Sequence, residues 1–246
     1  MTTGLVLSAG GMYAAWEVGV WKALAPHVRP DLVVGASAGA LNGWAIAGGA
    51  RPEEIERIWL DSSVAAIRVF QPEALRAQAR DMTSRFRPQI PFGLTIVEAP
   101  SLRVRLVRDG EVEWQHLVAS CAVPFLFPPV AIGGRSYVDG GLMGALPVWA
   151  AEEMGATRVV AMNCLQGLPF RILRAVTRPR RPSAALPVVL IEPSERLGSL
   201  RSALVWSQPT IRRWIDLGER DGEAALGRIA QVFSKSASPE TPTAAG

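Results

Sequence analysis

One serine, Ser37, has neighbours that would let its hydroxyl act as a nucleophile. It is the central residue of the Gly-Ala-Ser-Ala-Gly sequence at 35–39, between a short apolar run at 32–34 and a helical pattern over 40–47. The small residues let the chain turn sharply from a strand into a helix, so that the hydroxyl stands at the helix N-terminus, where free N–H groups stabilise negative charge. The pattern predicts a nucleophile elbow, although a tight turn with an N-cap serine would fit the same five residues.

A serine nucleophile needs a base, and the histidines of this chain do not supply one in the usual order. The chain has only two, His27 and His116. His27 follows the first predicted helix, and His116 ends a predicted hairpin strand. Neither lies near the C-terminus after an acidic residue, as the order of an α/β-hydrolase triad requires. We expect surface or packing roles for both.

A carboxylate is the remaining strong candidate for the base, and Asp139 stands out. It follows an apolar stretch and opens the turn made by Gly140 and Gly141. Two glycines after a strand present a side chain with little steric hindrance. By itself, Asp-Gly-Gly is also an ordinary turn signal.

A second glycine turn lies near the start of the chain. A predicted strand at 5–7 ends in Ser8-Ala9-Gly10-Gly11, and a helical pattern follows over 13–24. The turn does not match the GxGxxG of dinucleotide sites, and no Gly-Lys-Ser/Thr of a Walker A loop follows it. A glycine turn that opens a helix gathers N–H donors, which suits an oxyanion hole, but tight packing alone would also use glycine here.

The elements that must position these residues alternate along the chain. The order strand, helix, strand, helix over the first 45 residues predicts a parallel sheet with right-handed crossovers. Further strands are predicted at 94–97, 158–163 and 188–191, and helices at 51–60, 73–85, 117–123, 146–154 and 211–233. A hairpin is predicted from 103–108 and 112–116, turning at Asp109-Gly110. The fold class is therefore α/β, a three-layer sandwich with a mostly parallel central sheet.

Composition limits the kind of protein. The 246 residues are 49% hydrophobic and 20% charged, with a net charge of +4. A single globular domain over 1–233 and a disordered polar tail over 234–246 are expected. The two cysteines form neither a disulfide framework nor a metal-binding spacing. We see no signal peptide and no run long enough to cross a membrane, and expect a cytoplasmic protein that can contact a membrane peripherally.

Together these motifs resemble the patatin-like phospholipase family over nearly all of residues 4–233. The residues that carry the resemblance are Gly10-Gly11 leading to Gly19-Val20, the elbow at 35–39, the run ASCAVPFLFPP at 119–129, and Asp139-Gly140-Gly141. The resemblance implies a dyad in which Ser37 attacks an ester carbonyl and Asp139 is the base. It also implies an oxyanion hole formed by backbone N–H groups of Gly10, Gly11, Met12 and Ala38. The glycines of the two motifs are Gly35, Gly39, Gly140 and Gly141.

The sequence departs from the family pattern at several positions. Tyr13 stands where the family usually has Arg or Lys, Ala9 and Ala14 replace glycines, and Gly144-Ala145 replaces a polar pair. We expect a serine acyl hydrolase that cleaves lipid esters, of the phospholipase A or lipid esterase type. The alternatives are a catalytically impaired lipid-binding or regulatory protein, and an acyltransferase or thioesterase that uses the same dyad.

The expected partner is a lipid or another acyl ester. Eight tryptophans suit either contact with a lipid interface or core packing, and an arginine-rich stretch at 171–181 could bind anionic lipid or remain a solvated loop. The arginines are not interleaved with stacking aromatic residues, which argues against nucleic acid. No acidic cluster resembles a calcium loop, so no metal or other cofactor is expected. The oligomeric state is left open.

Overall fold

The centre of the fold is an eight-stranded sheet. The structure, a computed structural model, describes residues 1–67, 71–165 and 180–235. The strands are β1 (Thr3–Leu7), β2 (Leu32–Ala36), β3 (Phe92–Ala99), β4 (Arg103–Arg108), β5 (Val130–Ile132), β6 (Arg135–Asp139), β7 (Arg158–Met162) and β8 (Val188–Ile191). Their order is β5-β6-β3-β2-β1-β7-β8, with β4 paired to β3. The pairs β3–β2, β2–β1, β1–β7 and β7–β8 are parallel, which confirms the predicted α/β class with a mostly parallel sheet.

Helices cover both faces of the sheet. They are α1 (Ala15–Leu24), α2 (Ala38–Ala47), α3 (Pro52–Leu60), α4 (Pro72–Arg85), α5 (Trp114–Ser120), α6 (Val148–Glu153) and α7 (Gln208–Lys235). Leu5 and Leu7 of β1 belong to the larger core cluster, while Val6 between them belongs to a second cluster with residues of α6. This alternation follows from the two-residue period of a strand, and it makes the sheet the middle of three layers.

The predicted hairpin at 103–116 is wrong. β4 pairs instead with β3 in antiparallel register, residues 109–111 form a 3₁₀ turn, and residues 114–120 are helix α5. The Asp-Gly turn signal is local and does not specify the partner of a strand, and β4 already has its partner in β3. His116 consequently lies in the first turn of α5, buried, with its Nδ1 accepting a hydrogen bond of 3.1 Å from the N–H of Glu113.

Helices α1 and α7 approach each other closely through glycines. A Cβ atom added at Gly19 of α1 would lie 1.9 Å from the carbonyl oxygen of Ile215, and one at Gly218 of α7 would lie 2.0 Å from that of Trp16. Trp16 also donates a hydrogen bond of 2.8 Å from its indole N–H to Asp221 of α7. The close contact between α1 and α7 thus requires glycine at both positions, and Gly19 has a role in helix packing.

Several sequence expectations can be placed in the fold. The tryptophans at 16, 44, 59 and 149 are buried at 0–8% exposure, as core packing predicts. Within the described residues, no helix is long and apolar enough to cross a bilayer. Residues 171–179 of the arginine-rich stretch at 171–181, and residues 236–246 of the predicted tail at 234–246, lie outside the described part of the chain.

Candidate active site

Ser37 occupies a strained turn between β2 and α2. Its φ is +54° and its ψ is −131°, a backbone conformation that a residue with a side chain rarely adopts. The turn is tight because two glycines permit it: a Cβ at Gly35 would lie 2.4 Å from the oxygen of Gly39, and one at Gly39 would lie 2.3 Å from the oxygen of Ser8. This is the geometry of a nucleophile elbow, in which strain persists because the surroundings enforce it.

Asp139 ends β6 beside this turn. Ala36, the residue before Ser37, pairs with Thr95 of β3, and Asp139 pairs with the next residue of that strand, Ile96. Ser37, one residue beyond Ala36, is therefore level with Ile96, the residue that pairs with Asp139. Asp139 is buried, and its Oδ1 accepts a hydrogen bond of 2.7 Å from the N–H of Gly141. Its Oδ2 is also buried and makes no hydrogen bond to any described residue.

The environment of Asp139 sets the charge of its carboxyl group. Burial raises the pKa of Asp139 to about 6, and the Ser37 hydroxyl and the N–H groups of Gly141 and Leu142 limit that rise by favouring the ionised form. The Ser37 hydroxyl acts on the carboxyl without a regular hydrogen bond to Oδ2. At neutral pH the group is therefore mostly an ionised carboxylate with one oxygen free to accept a proton.

Ser120, the last residue of α5, forms a hydrogen bond with the backbone of the elbow. The Ser120 hydroxyl accepts a hydrogen bond of 2.8 Å from the Ser37 N–H and donates one of 2.9 Å to the carbonyl oxygen of Thr95. Gly140 lies against the same carbonyl, since a Cβ there would be 1.9 Å from it. Ser120 therefore links the elbow to the Asp139 turn. The sequence marked it only as part of the run at 119–129, because no local pattern reveals contacts between residues so far apart.

Cys121 lies next to Ser37 and Asp139 and is buried. Burial, together with the charge of Asp139, raises the pKa of its thiol, while the Ser37 hydroxyl lowers it in part. The thiol is therefore neutral at physiological pH and is not an activated nucleophile. Although Cys121 lies beside Ser37, its neutral thiol is not expected to take part in the reaction proposed for Ser37.

The glycine turn at the end of β1 contacts both the elbow that contains Ser37 and the turn that follows Asp139. Besides the contact of Ser8 with Gly39, a Cβ at Gly141 would lie 2.4 Å from that of Ala9. The N–H groups of Gly10, Gly11 and Met12 donate to no acceptor among the described residues. The structure thus places free backbone donors beside the elbow, where the amide of Ala38 begins α2.

The departures from the family pattern have structural explanations. Neither Ala9 nor Ala14 has a positive φ, so alanine is not strained at either position. Tyr13 is buried, donates its hydroxyl hydrogen bond to the carbonyl oxygen of Ser199, and packs edge-on against Trp214 at 5.1 Å between ring centroids. Through these two contacts Tyr13 connects the C-terminal part of the chain to the glycine turn. Unlike the Arg or Lys usual in the family, its side chain carries no positive charge.

A buried acid, Glu17 of α1, connects the glycine turn to the elbow helix. Its Oε1 accepts hydrogen bonds from the N–H and hydroxyl of Ser8 at 2.8 and 3.0 Å, and its Oε2 accepts one from Asn42 of α2 at 3.3 Å. Asn42 in turn accepts one of 2.8 Å from the indole N–H of Trp59. Burial raises the pKa of Glu17 to about 8, so it is uncharged at neutral pH. A glutamate in an apolar helical pattern was the only sequence signal for this network.

No metal-type cluster accompanies the site in the described ranges, where no three His, Cys, Asp or Glu side chains are grouped as ligands. The chemistry available there is that of a serine elbow, an adjacent buried carboxylate and free backbone N–H groups, on a mostly parallel α/β sheet. A serine, a base and backbone donors are the groups that acyl transfer through a serine requires, and here an α/β fold holds one of each kind. The family model for patatin-like phospholipases matches residues 5–91 and 107–152, more than half of the sequence, and the chain belongs to this family.

Similar proteins are known by sequence and by structure. "Patatin-like phospholipase domain-containing protein 6" of Mus musculus is 26% identical over 182 residues, which are 66% of this chain and 13% of the mouse protein. "Lysophospholipase NTE1" of Scheffersomyces stipitis is 27% identical over 183 residues, 65% of this chain and 11% of the yeast protein. The chain therefore corresponds to about an eighth of these relatives. The crystal structure of VipD from Legionella pneumophila shares the fold, with a TM-score of 0.56 at 12% identity over 92% of this chain and 67% of VipD.

Proposed function

We propose that the protein is a serine acyl hydrolase that cleaves ester bonds of lipids, of the phospholipase A or lipid esterase type. The observation that carries the proposal is the juxtaposition of Ser37, held at a φ of +54°, with Asp139, whose buried Oδ2 has no hydrogen-bond partner among the described residues. The names of the relatives, a phospholipase domain protein and a lysophospholipase, support a lipid as the substrate.

The reaction would proceed in two halves. The Ser37 oxygen attacks the ester carbonyl while Asp139 accepts the hydroxyl proton, and the oxyanion of the tetrahedral intermediate is stabilised by the N–H groups of Gly10, Gly11, Met12 and Ala38. The intermediate then collapses, the alcohol leaves with the proton from Asp139, and an acyl-enzyme remains. Water then attacks this ester while Asp139 takes one of its protons, and the second tetrahedral intermediate collapses. The fatty acid leaves, and Asp139 returns the proton to the Ser37 oxygen.

Covalent labelling tests the proposal directly. The wild-type protein, Ser37→Ala and Asp139→Asn are treated with a fluorophosphonate, and the adduct is located by mass spectrometry. We expect a single adduct on Ser37, no labelling of Ser37→Ala, and labelling of Asp139→Asn slowed by about 100-fold or more, since a positioned base contributes that much. Circular dichroism shows whether the variants are folded. A folded wild-type protein that takes no label would overturn the hydrolase proposal and favour a lipid-binding role.

We propose further that the protein contacts membranes peripherally near the site. Phe125 is 92% exposed on the segment between α5 and β5, and the same segment contains Ala122, whose oxygen accepts a hydrogen bond of 2.9 Å from the N–H of Asp139. Leu204 and Val205 are exposed just after Ala203, whose oxygen lies against Gly11. Apolar side chains thus stand in water on two segments that border the site, where a lipid surface would cover them.

Replacing the most exposed of these side chains tests the contact. We expect Phe125→Ser to reduce the affinity for phosphatidylcholine vesicles, measured by co-sedimentation, by about tenfold or more, because burying a phenylalanine in lipid is worth about 1.5–3 kcal/mol. Val188→Ser serves as the control, since Val188 is 36% exposed at the start of β8, at the opposite end of the parallel strands from Ser37. Equal vesicle binding by wild type and Phe125→Ser would remove Phe125 from the contact.

A further inference from the structure

The proposed oxyanion hole is assembled from two separate pieces of backbone. The N–H groups of Gly10, Gly11 and Met12 belong to the glycine turn after β1, whereas that of Ala38 begins α2. Donors stabilise an oxyanion when they lie about 2.7–3.1 Å from it, so the position of one piece relative to the other affects the rate. A side chain that fixes this position would contribute to catalysis without contacting the substrate.

Glu17 of α1 contacts both pieces. Its Oε1 accepts hydrogen bonds of 2.8 and 3.0 Å from the N–H and the hydroxyl of Ser8, and its Oε2 accepts one of 3.3 Å from Asn42. Ser8 lies two residues before Gly10, and Asn42 lies about one helical turn after Ala38. One carboxyl group is therefore hydrogen-bonded both to the chain that enters the glycine turn and to the helix that follows the elbow.

Ser8 is the residue at which the glycine turn and the elbow meet. A Cβ atom added at Gly39 would lie 2.3 Å from the carbonyl oxygen of Ser8. Beyond Ser8, the N–H of Ala9 donates a hydrogen bond of 2.8 Å to Ala145, and the N–H groups of the next three residues donate to no acceptor among the described residues. The bonds from Ser8 to Glu17 therefore lie close to the free donors in the chain.

The contacts of Glu17 are buried, and both of its partners have further hydrogen bonds. Glu17 and Ser8 are 0% exposed, and Asn42 is 2% exposed. The N–H of Ser8 also donates to the carbonyl oxygen of Met162 at 3.1 Å, and Asn42 also donates to that of Ala14 at 2.9 Å. Loss of the Glu17 side chain would therefore leave each piece attached to the fold but free to move relative to the other.

We infer that Glu17 is a positioning residue, which holds the glycine turn and α2 at the separation that the oxyanion requires. Its effect falls on the transition state, in which the oxyanion forms, because binding of the uncharged ester makes little use of those donors. The inference rests on the proposed hydrolase function, to which it adds a residue outside the dyad and the oxyanion donors.

The first experiment measures turnover per active site. Wild type, Glu17→Ala and Glu17→Gln hydrolyse p-nitrophenyl butyrate at pH 7, below the pKa of about 8 to which burial raises this carboxyl group. Exhaustive fluorophosphonate labelling counts the active sites, so unfolded molecules do not lower kcat. We expect Glu17→Ala to lower kcat per site by about tenfold or more, with KM within about twofold of wild type, because misplaced donors stabilise the oxyanion less. Glu17→Gln keeps an uncharged oxygen acceptor of the same reach and should retain most of kcat.

Thr3→Val is the matched control at the other end of β1. Thr3 is 2% exposed, and its hydroxyl accepts a hydrogen bond of 2.8 Å from Arg158, so this variant also loses a buried side-chain bond. It should keep the wild-type kcat per site. The inference is overturned if Glu17→Ala loses labelled sites or thermal stability but keeps the wild-type kcat per site. A loss of kcat per site in Thr3→Val as large as that in Glu17→Ala would overturn it as well.

A smaller change tests the same contact even if Glu17→Ala does not fold. Ser8→Ala removes only the hydroxyl that donates to Glu17. We expect this variant to lower kcat per site by about threefold or more, as for one lost hydrogen bond. If Ser8→Ala keeps the wild-type kcat per site, the contact between the two side chains does not position the turn and the inference fails.

Hydrogen exchange tests the positioning without turnover. The amides of Ser8 and Ala9 are hydrogen-bonded to backbone carbonyl oxygens at 3.1 and 2.8 Å. We expect both to exchange about threefold or more faster in Glu17→Ala, with the amides at 94–97 of β3 unchanged. If the wild type takes no fluorophosphonate label, the hydrolase proposal fails, and faster exchange at these two amides would still support Glu17 as the residue that holds the turn. Unchanged exchange at both amides would contradict that role.

Discussion

Replacing Asp139 with asparagine is expected to lower kcat/KM for an ester substrate by about 10²–10⁴-fold at pH 8, with the fold retained. The amide has nearly the shape of the carboxyl group and can still accept the Gly141 N–H, which lies 2.7 Å from Oδ1. It cannot take the proton of Ser37, because it has no basic oxygen. Steady-state hydrolysis of p-nitrophenyl butyrate, with thermal unfolding measured alongside, checks the expectation.

The pH dependence separates a base from a merely structural acid at this position. Since the pKa of Asp139 is raised to about 6, wild-type kcat/KM should increase about tenfold per pH unit below pH 6 and level off above pH 7. The remaining activity of Asp139→Asn should lack that increase. Asp81→Asn, on the exposed surface of α4, should follow the wild-type curve. A wild-type profile that is flat between pH 5 and 7 would contradict the assignment of Asp139 as the base.

Replacing Gly218 with alanine is expected to destabilise the protein by about 2–3 kcal/mol, because the added methyl group meets backbone that cannot move independently. The new Cβ would lie 2.0 Å from the carbonyl oxygen of Trp16 and 3.0 Å from the amide nitrogen of Val20. Both atoms belong to α1, so the two helices must separate. The free energy of unfolding, from urea denaturation followed by tryptophan fluorescence, is the measurement.

The same substitution elsewhere in α7 provides a close control. Gly227 also lies in this helix, and a Cβ added there meets no atom within 4 Å. Gly227→Ala should therefore stabilise the protein by up to about 1 kcal/mol, since alanine is the better helix former. If Gly218→Ala and Gly227→Ala lower the free energy of unfolding by the same amount, the contact of α7 with α1 at Gly218 does not explain the loss.

Sequence alone was sufficient for the parts of the site that are built locally. The elbow needs a short buried strand, small residues around Ser37 and a helix after it, and all three are adjacent in the chain. The turn after Asp139 is likewise encoded by the two glycines that follow. The family model then matched the regions that contain both motifs.

Sequence was insufficient wherever the outcome depended on partners far apart in the chain. The Asp109-Gly110 signal was interpreted as a hairpin, but β4 finds its partner in β3 and the residues beyond form α5. Ser120 accepts a hydrogen bond from the N–H of Ser37, which lies 83 positions earlier in the chain, and no sequence periodicity predicts such a contact.

The uncharged state of Glu17 has a consequence for the range of pH in which the protein can work. An unfolded glutamate ionises near 4.5 and the folded one near 8, so the folded state loses stability as pH rises between these values. Above pH 8 the Glu17 carboxylate would be a buried charge with no cationic partner among the described residues. The donors of Ser8 and Asn42 would offset only part of the cost of burying it, so the packing of the glycine turn and α2 around Glu17 would lose stability. Under the proposed mechanism the acid limit of activity would be set by Asp139, near pH 6, and the alkaline limit by Glu17, which contacts Ser8 and Asn42 and takes no chemical step in that mechanism.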